Sequence, residues 1–433
     1  MKNQRILILA IATATVLFLS NILNFTVSTS RFNSSYPASV CPPNTPGLST
    51  AISLTSPKTL VRKTGTSSMQ TTQVGIRRFA VAAQSAVVEA GSVTPIAWQV
   101  RTGVWAGAVP CSAPVASQWF VGATADITSK GSLNVVNSGL GRALVEIQIF
   151  TENGAITPRT ISLKANTFTS LSLASLAPGS KQIAIHLLPR SGRVNGFVID
   201  ERGKGLKALG GDIVNSTGEP IKKLQIPAIP QQTGRSGSTP HTLRLLVPGD
   251  VDARITAVIK STDGTFAPAG IDGRVIAHKK VIEIPLNVTM ASGKFALHIS
   301  SDQPILGSVF SQTLVKGKRD FVWSTAAQDL SEYTLATTGL APTLVFTGSR
   351  IKLNLELTYT NGKTKTVKIS AEDIATFVVP DSVRAVSFAG ISTGTSGAAL
   401  IASKSGYGYI PLNAGSVLAK SSIPASNIRV LNP

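Results

Sequence analysis

The sequence predicts an all-β protein of tandem immunoglobulin-like β-sandwich units behind an N-terminal transmembrane or signal helix. Three observations support this prediction. The segment Ser132–Ile156 recurs without gaps as Thr242–Phe266. Apolar and polar residues alternate with a period of two in several segments, which places the apolar side chains on one face of a strand. Only 14% of residues are charged and 43% are hydrophobic, a balance that argues against disorder.

The repeated segment is predicted to be a hairpin. Apolar and polar residues alternate over Val145–Ile149, and the Asn153-Gly154 dipeptide that follows accepts the positive φ angle of a tight turn. The second copy has Asp263-Gly264 at this place, and a looser third copy, Ile351–Lys363, has Asn361-Gly362. Each unit therefore holds several short strands in about 100 residues, the size of a β-sandwich.

At 433 residues the chain is longer than one ordinary core, and it divides into several predicted segments. These are a signal anchor or signal peptide (1–25), a Ser/Pro-rich stalk (26–56), a divergent first β unit (57–118), a β-sandwich unit with a linker (119–238), a second β-sandwich unit (239–335) and a third (336–433).

The N-terminus has the pattern of an export signal. Lys2 and Arg5 precede Ile6–Phe25, a run without charge that is long enough to span a bilayer. Val27-Ser28-Thr29 is only a poor substitute for an Ala-x-Ala cleavage site. We therefore expect a single-pass protein of the cell membrane with its remainder outside the cytoplasm. A cleaved, secreted protein is the alternative.

The two cysteines, Cys41 and Cys111, stand beside prolines in loop-like sequence. In an exported chain this pattern predicts one disulfide, and two free thiols are the alternative. The sequence has no Cys-x-x-Cys pair and no histidine cluster, so no metal site is predicted.

The formal net charge of +20 favours anionic neighbours such as cell-wall polymers, lipid headgroups or nucleic acid. The basic residues are spread along the chain, with small clusters at Arg77-Arg78, Arg202–Lys207 and Lys316–Arg319. No recognised nucleic-acid module accompanies these clusters, and nucleic acid is not expected as a partner. Anionic cell-wall polymers or envelope proteins are the expected partners.

The sequence offers no candidate catalytic residue and no cofactor-binding motif. The sequence lacks a Gly-x-Ser-x-Gly elbow and a phosphate-binding loop. His186 and His298 occupy equivalent repeat positions, which indicates a structural role. A tryptophan in a β-sandwich usually fills the core, and this is the expected role of Trp119 and Trp323. The alternative for both residues is an exposed ring that stacks on a sugar.

The Cys111–Gly122 segment and the repeat are two features by which the chain resembles a family of actinobacterial proteins of unknown function. Val40–Pro42 and Val247-Pro248-Gly249 also carry the resemblance, whereas Gln118-Trp119-Phe120 departs from the Trp-Trp-Phe of such relatives. The resemblance implies export, β-sandwich units, a cell-envelope setting and a disulfide between Cys41 and Cys111. It brings no activity and no catalytic residues.

We therefore expect a non-enzymatic cell-envelope protein, membrane-anchored or secreted, that presents tandem β-sandwiches for binding or structural interaction. Two alternatives stay open: a carbohydrate-binding module protein, and a hydrolase or transferase of cell-wall glycans that uses turn carboxylates as acid and base.

Overall fold

The computed structural model of the protein describes residues 38–415, apart from 66–71, 90, 235–236, 289 and 291–292, together with Gln4 and two short strands. The chain divides into two units. In the first, Met1–Tyr36 and Val417–Pro433, the two short strands β1 (Ser30–Arg31) and β37 (Ser421–Ser422) pair antiparallel. The second unit, Pro37–Ser416, contains the sandwiches.

Two four-stranded antiparallel sheets form the first sandwich. Their strand orders are β2-β7-β4-β5 and β6-β3-β9-β10, while β8 pairs elsewhere. The strands are β2 (Ala38–Val40), β3 (Ser49–Ser53), β4 (Leu60–Lys63), β5 (Thr72–Gln73), β6 (Arg78–Val81), β7 (Ala86–Glu89), β8 (Val93–Thr94), β9 (Ile96–Arg101) and β10 (Trp105–Pro110).

The second sandwich contains the first copy of the repeat. Its sheets have the orders β11-β16-β13-β14 and β15-β12-β17-β18. The elements are β11 (Gln118–Val121), β12 (Ser132–Asn137), β13 (Ala143–Thr151), β14 (Gly154–Leu163), β15 (Thr167–Ser172), the short helix α1 (Leu173–Leu176), β16 (Ile183–Ser191), β17 (Val194–Lys204) and β18 (Lys207–Val214).

The third sandwich contains the second copy, and one long strand, β27, takes part in both of its sheets. The strands are β19 (Ile221–Gln231), β20 (Thr233–Gly234), β21 (Gly237–Ser238), β22 (His241–Leu246), β23 (Ala253–Ser261), β24 (Gly264–Phe266), β25 (Arg274–Ile276), β26 (Val281–Leu286), β27 (Gly293–Val315) and β28 (Lys318–Thr325).

The fourth sandwich has the sheets β32-β31-β34-β29 and β33-β30-β35-β36, and β8 of the first sandwich extends the former by pairing parallel with β29. The strands are β29 (Tyr333–Ala336), β30 (Thr343–Thr347), β31 (Ile351–Tyr359), β32 (Thr364–Ala371), β33 (Ile374–Val378), β34 (Val383–Ala389), β35 (Ser396–Ala402) and β36 (Tyr407–Pro411).

All four sandwiches of the described chain share one connectivity. In the first sandwich without β8, and in the second and fourth, one sheet has the order first-sixth-third-fourth strand and the other has fifth-second-seventh-eighth. The third has the same order when the two halves of β27 are counted as the sixth and seventh strands and the short strands β20, β21 and β25 are left out. The repeat extends to the turns, because Thr151 and Ser261 donate equivalent hydrogen bonds to the carbonyls of Gly154 and Gly264. Both glycines have positive φ, +122° and +124°, a conformation that disfavours other residues.

The sandwiches are joined in a closed cycle by apolar cores that they share. Residues of the first sandwich pack with the second, the second with the third and the third with the fourth. Ile96 and Trp98 of the first sandwich then join the core of the fourth, which closes the cycle. The shared cores mean that no sandwich buries its apolar surface alone.

The prediction of tandem β-sandwiches is confirmed. The structure differs from the sequence analysis in the segment 26–56, because Ala38–Val40 and Ser49–Ser53 are strands of the first sandwich and were expected in a stalk. Their buried side chains enter that core despite the surrounding Ser, Pro and Thr residues. The predicted N-terminal helix lies outside the described residues. Among the residues that are described, no helix has the length and apolarity needed to cross a membrane.

Candidate functional site

The last strands of the four sandwiches meet at one place, which we call the junction. β10 packs against β18, β18 against β28, β28 against β36, and β36 against β10. Glycines allow these backbones to approach each other. A Cβ atom at Gly211 would lie 2.8 Å from the ring of Trp105, and one at Gly408 would lie 2.7 Å from the Cβ of Ala108.

Three aspartates are buried at the junction. Asp200 and Asp212 face each other across β17 and β18, and Asp320 lies on β28. The indole Nε1 of Trp323 donates a 2.9 Å hydrogen bond to Asp200, and the backbone N–H of Trp323 donates a 2.7 Å bond to Asp212. The backbone N–H of Gly211 donates to Asp320 over 3.1 Å. The three carboxyls therefore connect the second sandwich to the third.

Burial shifts the ionisation of two of these carboxyls. It raises the pKa of Asp320 to about 7, against which the hydrogen bonds from Gly211 and Phe321 act. It also raises the pKa of Asp212 well above the ordinary value, although two backbone N–H groups favour the charged form. One oxygen of each carboxyl has no hydrogen-bond partner in the described structure. Burial therefore makes both carboxyls harder to ionise than exposed ones.

A cleft of about 730 Å³ opens on the side of the junction that contains the first residues of β18 and β28 and the residues just before β10. We call it the basic cleft, because four cationic side chains line it, together with aromatic and small residues. Its lining comprises Gly103, Val104, Thr128, Arg202, Lys207, Ala208, Leu209, Gly210, Phe310, Gln312, Lys318, Arg319, Asp320 and Phe321.

Two hairpin tips supply the cations of the basic cleft. The second sandwich contributes Lys207 from the turn between β17 and β18, and the third contributes Lys318 and Arg319 after the turn between β27 and β28. These tips are the clusters Arg202–Lys207 and Lys316–Arg319, which lie far apart in the sequence. The shared topology brings them together, because each tip joins the last two strands of its sandwich.

Arg202 forms part of the inner wall of the basic cleft. Its guanidinium donates a 2.8 Å hydrogen bond to Asp200 and lies 4.9 and 4.7 Å from the ring centroids of Phe310 and Phe321. Burial alone would lower the pKa of Arg202, but the Asp200 carboxylate outweighs it and the pKa is raised. Arg202 is thus a fixed cation on an aromatic wall.

A second cleft, of about 390 Å³, lies where the last strands of the first, second and fourth sandwiches end. Amide side chains line it, namely those of Gln118, Asn215, Gln328 and Asn413, and Glu219 adds a charged side chain. The Nδ2 of Asn215 donates to backbone carbonyls of the first and fourth sandwiches. These bonds hold the sandwiches together.

The structure places Trp119 and Trp323 in the interior, which agrees with the expected core role and contradicts the sugar-stacking alternative. Trp119 is 6% exposed and stacks on His186 with ring centroids 3.6 Å apart. Trp323 is 0% exposed and lies beneath the guanidinium of Arg244. The reason is that both residues face neighbouring sandwiches, so their rings fill the contacts between units.

The predicted disulfide between Cys41 and Cys111 is present, with Cα atoms 4.4 Å apart. It joins the residue after β2 to the residue after β10, which are the first and last strands of the first sandwich along the chain. In the described residues, no group of three or more His, Cys, Asp and Glu side chains has the arrangement of a metal site.

The turn carboxylates near β23 and the histidines at repeat positions have internal partners. Asp252 accepts a 2.9 Å hydrogen bond from the backbone of His278, and Asp250 pairs with Lys279. His186 stacks on Trp119, whereas the Nε2 of His298 lies 2.7 Å from the hydroxyl of Thr347. Burial lowers the pKa of both histidines to about 4.

Comparison with known proteins gives one family match. The model of a family of unknown function (DUF5719) matches residues 65–381. No curated protein is similar to the chain at a significant level. Among solved structures, a DUF4785 family protein from Legionella pneumophila subsp. pneumophila str. Philadelphia 1 is 11% identical and covers 72% of this chain and 91% of its own, with a TM-score of 0.12. At that TM-score the similarity carries no argument.

Proposed function

Because this chain belongs to DUF5719, a family of unknown function, we propose its role from its own structure: it is a non-enzymatic, exported protein of the cell envelope that binds an anionic envelope component in the basic cleft. The expected ligand chemistry is a phosphate or carboxylate group.

The convergence of two basic hairpin tips on one cleft carries this proposal. Lys207, Lys318 and Arg319 are exposed and line the same cleft, although they belong to different sandwiches. Like charges repel each other, so their convergence raises the free energy of the empty cleft and favours a ligand that neutralises them. Arg202 adds a cation whose position is held by Asp200 and the aromatic wall.

Two further features support an exported binding protein. The disulfide between Cys41 and Cys111 is typical of proteins outside the reducing cytoplasm. A glycan hydrolase would need a pair of carboxyls flanking its substrate, whereas Asp320 is the one acidic residue among the described residues that line the basic cleft. The two tryptophans proposed for carbohydrate binding are buried, so they are not accessible to a sugar ring.

The first prediction tests the basic cleft with soluble polyphosphate as the probe. We expect the full-length protein in mild detergent to bind polyphosphate, and the variant Lys207→Gln/Lys318→Gln/Arg319→Gln to bind it about tenfold or more weakly, because three converging charges are removed. Titration calorimetry at two salt concentrations measures the affinity, which should fall as salt rises.

The control removes the same charge from another exposed hairpin. Lys363→Gln/Lys365→Gln/Lys368→Gln changes residues around the β31–β32 turn, all of them exposed and none lining the basic cleft. We expect this variant to bind polyphosphate like the wild type. Equal losses in both variants would show attraction by net charge alone, and absence of binding by the wild type would exclude the proposed function.

A further inference from the structure

An apolar side chain projects from the rim of the basic cleft. Leu206 is fully exposed at the tip between β17 and β18, flanked by Lys204 and Lys207. Gly205 has φ +58° and forms the two-residue turn with Leu206, so the leucine side chain stands away from both strands. Such turns usually carry polar residues, and a leucine exposed there gains none of the free energy that burial of its side chain would supply.

Cations surround this leucine on several elements. Nζ of Lys130, in the loop before β12, donates a 3.0 Å hydrogen bond to the carbonyl of Gly205. Lys204 and Lys207 flank the leucine in sequence, and Lys318 and Arg319 line the same cleft as Lys207. The tip is therefore an apolar residue within a cationic surface.

The acidic residues close to the tip are already paired within the protein. Asp126 accepts hydrogen bonds from Thr128, Asp200 pairs with Arg202, and Glu201 pairs with Arg101. Asp320 is buried behind the cleft, and its raised pKa reduces its negative charge at neutral pH. The exposed lysines of the tip thus keep their charge available for an external partner.

We propose that this tip docks on an anionic lipid bilayer, with Leu206 entering the interface and the surrounding lysines contacting headgroups. This inference rests on the proposed function and specifies its ligand. A soluble polyanion would contact the cations but would gain nothing from the leucine. A bilayer offers anionic headgroups above an apolar layer, which matches both features of the tip.

The basic cleft lies directly beside the tip and has the size of a small-molecule site. Its cations, Arg202, Lys207, Lys318 and Arg319, suit the phosphate of a headgroup. Val104, Leu209 and the two phenylalanines supply apolar surface next to those cations. The cleft, like the tip, therefore places cations that suit lipid phosphates next to apolar side chains that suit hydrocarbon.

The test places an environment-sensitive fluorophore at the tip of the full-length protein. Because the fluorophore reports only on the surroundings of position 206, its signal does not depend on whether another segment binds the membrane. Leu206→Cys labelled with NBD is reconstituted in phosphatidylcholine vesicles with or without phosphatidylglycerol. The native cysteines form a disulfide, so the label is confined to position 206. We expect NBD emission to shift to shorter wavelength and to rise severalfold in the anionic vesicles, and to stay at its aqueous value in the neutral ones.

The matched control labels Leu140→Cys, since Leu140 is likewise exposed in a turn of the second sandwich, between Gly139 and Gly141. We expect no change in its emission. A second variant, Leu206→Cys with Lys204→Gln and Lys207→Gln, should lose most of the response to phosphatidylglycerol. Equal responses at 206 and 140 would show general adsorption and would overturn the inference.

Polyphosphate binding separates this inference from the proposed function. We expect Leu206→Ser to bind polyphosphate like the wild type, because the substitution leaves every cation in place. If the wild type binds polyphosphate but the NBD emission at position 206 does not change with anionic vesicles, a soluble polymer is the ligand and the lipid inference is wrong. If the wild type binds neither probe, both proposals are wrong.

Discussion

At the scale of single residues, the buried carboxyl of Asp320 contributes to the pH dependence of stability. Its pKa is about 7 in the folded protein and near 3.8 when unfolded, so the folded state holds the proton more tightly. The associated stability is complete below about pH 4 and is lost as pH rises through 7. Between pH 5 and pH 8 this loss is about 2–3 kcal/mol.

We predict that Asp320→Asn removes this loss, because asparagine can accept the hydrogen bond from Gly211 without ionising. Urea unfolding at pH 5 and at pH 8 measures the difference between variant and wild type. The buried histidines, whose pKa values are lowered to about 4, act in the opposite direction but are common to both proteins. A difference that stays constant with pH would contradict the prediction. Asp212 remains in both proteins and keeps its own pH dependence.

At the scale of elements, the last strands depend on glycine for their close approach. The backbone of Gly211 has no unusual φ, so the constraint is space: a Cβ atom would lie 2.8 Å from both Cδ1 and Nε1 of the buried Trp105. Trp105 is enclosed by the first and second sandwiches and has little room to move. The close contact therefore fixes both strands at the junction.

We predict that Gly211→Ala destabilises the protein by about 1–3 kcal/mol through overpacking. Gly141→Ala is the matched control, since nothing lies within 4 Å of its Cβ position, and it should change stability by less than about 0.5 kcal/mol. Chemical denaturation of both variants measures the two effects. Equal stabilities for the two variants would mean that the junction adjusts to the added methyl group.

At the scale of the whole molecule, two features couple the sandwiches of the larger unit: the apolar cores that they share, and β8, which pairs with a strand of the fourth sandwich. Val93 and Thr94 leave the first sandwich to pair with Thr334 and Leu335 of the fourth. We predict one cooperative thermal transition for Pro37–Ser416, because separating any sandwich would expose the apolar residues that it shares with its neighbours. Calorimetry of the full-length protein would show a calorimetric enthalpy equal to the van't Hoff enthalpy. Successive transitions would contradict this prediction.

The all-β class, the repeat and the disulfide partners can be predicted from the amino-acid sequence alone. These features depend on local signals: the alternation over Val145–Ile149, the glycines of the turns, and two cysteines with no other cysteine to pair with. A pleated strand imposes its period of two on the sequence, so this information is readable without the fold. The strands of the first sandwich before residue 57 lack such a pattern, and they were missed.

The positions of the tryptophans and of the basic cleft follow from the packing of the sandwiches, which the sequence does not reveal. Trp119 and Trp323 were candidates for exposure because a sequence does not state which strand face meets a neighbouring sandwich, and both proved buried. The clusters Arg202–Lys207 and Lys316–Arg319 were visible as separate basic turns. Their meeting at one cleft depends on contacts between β18 and β28, whose residues are distant in the chain. Packing between sandwiches brings such residues together, and no local pattern encodes it.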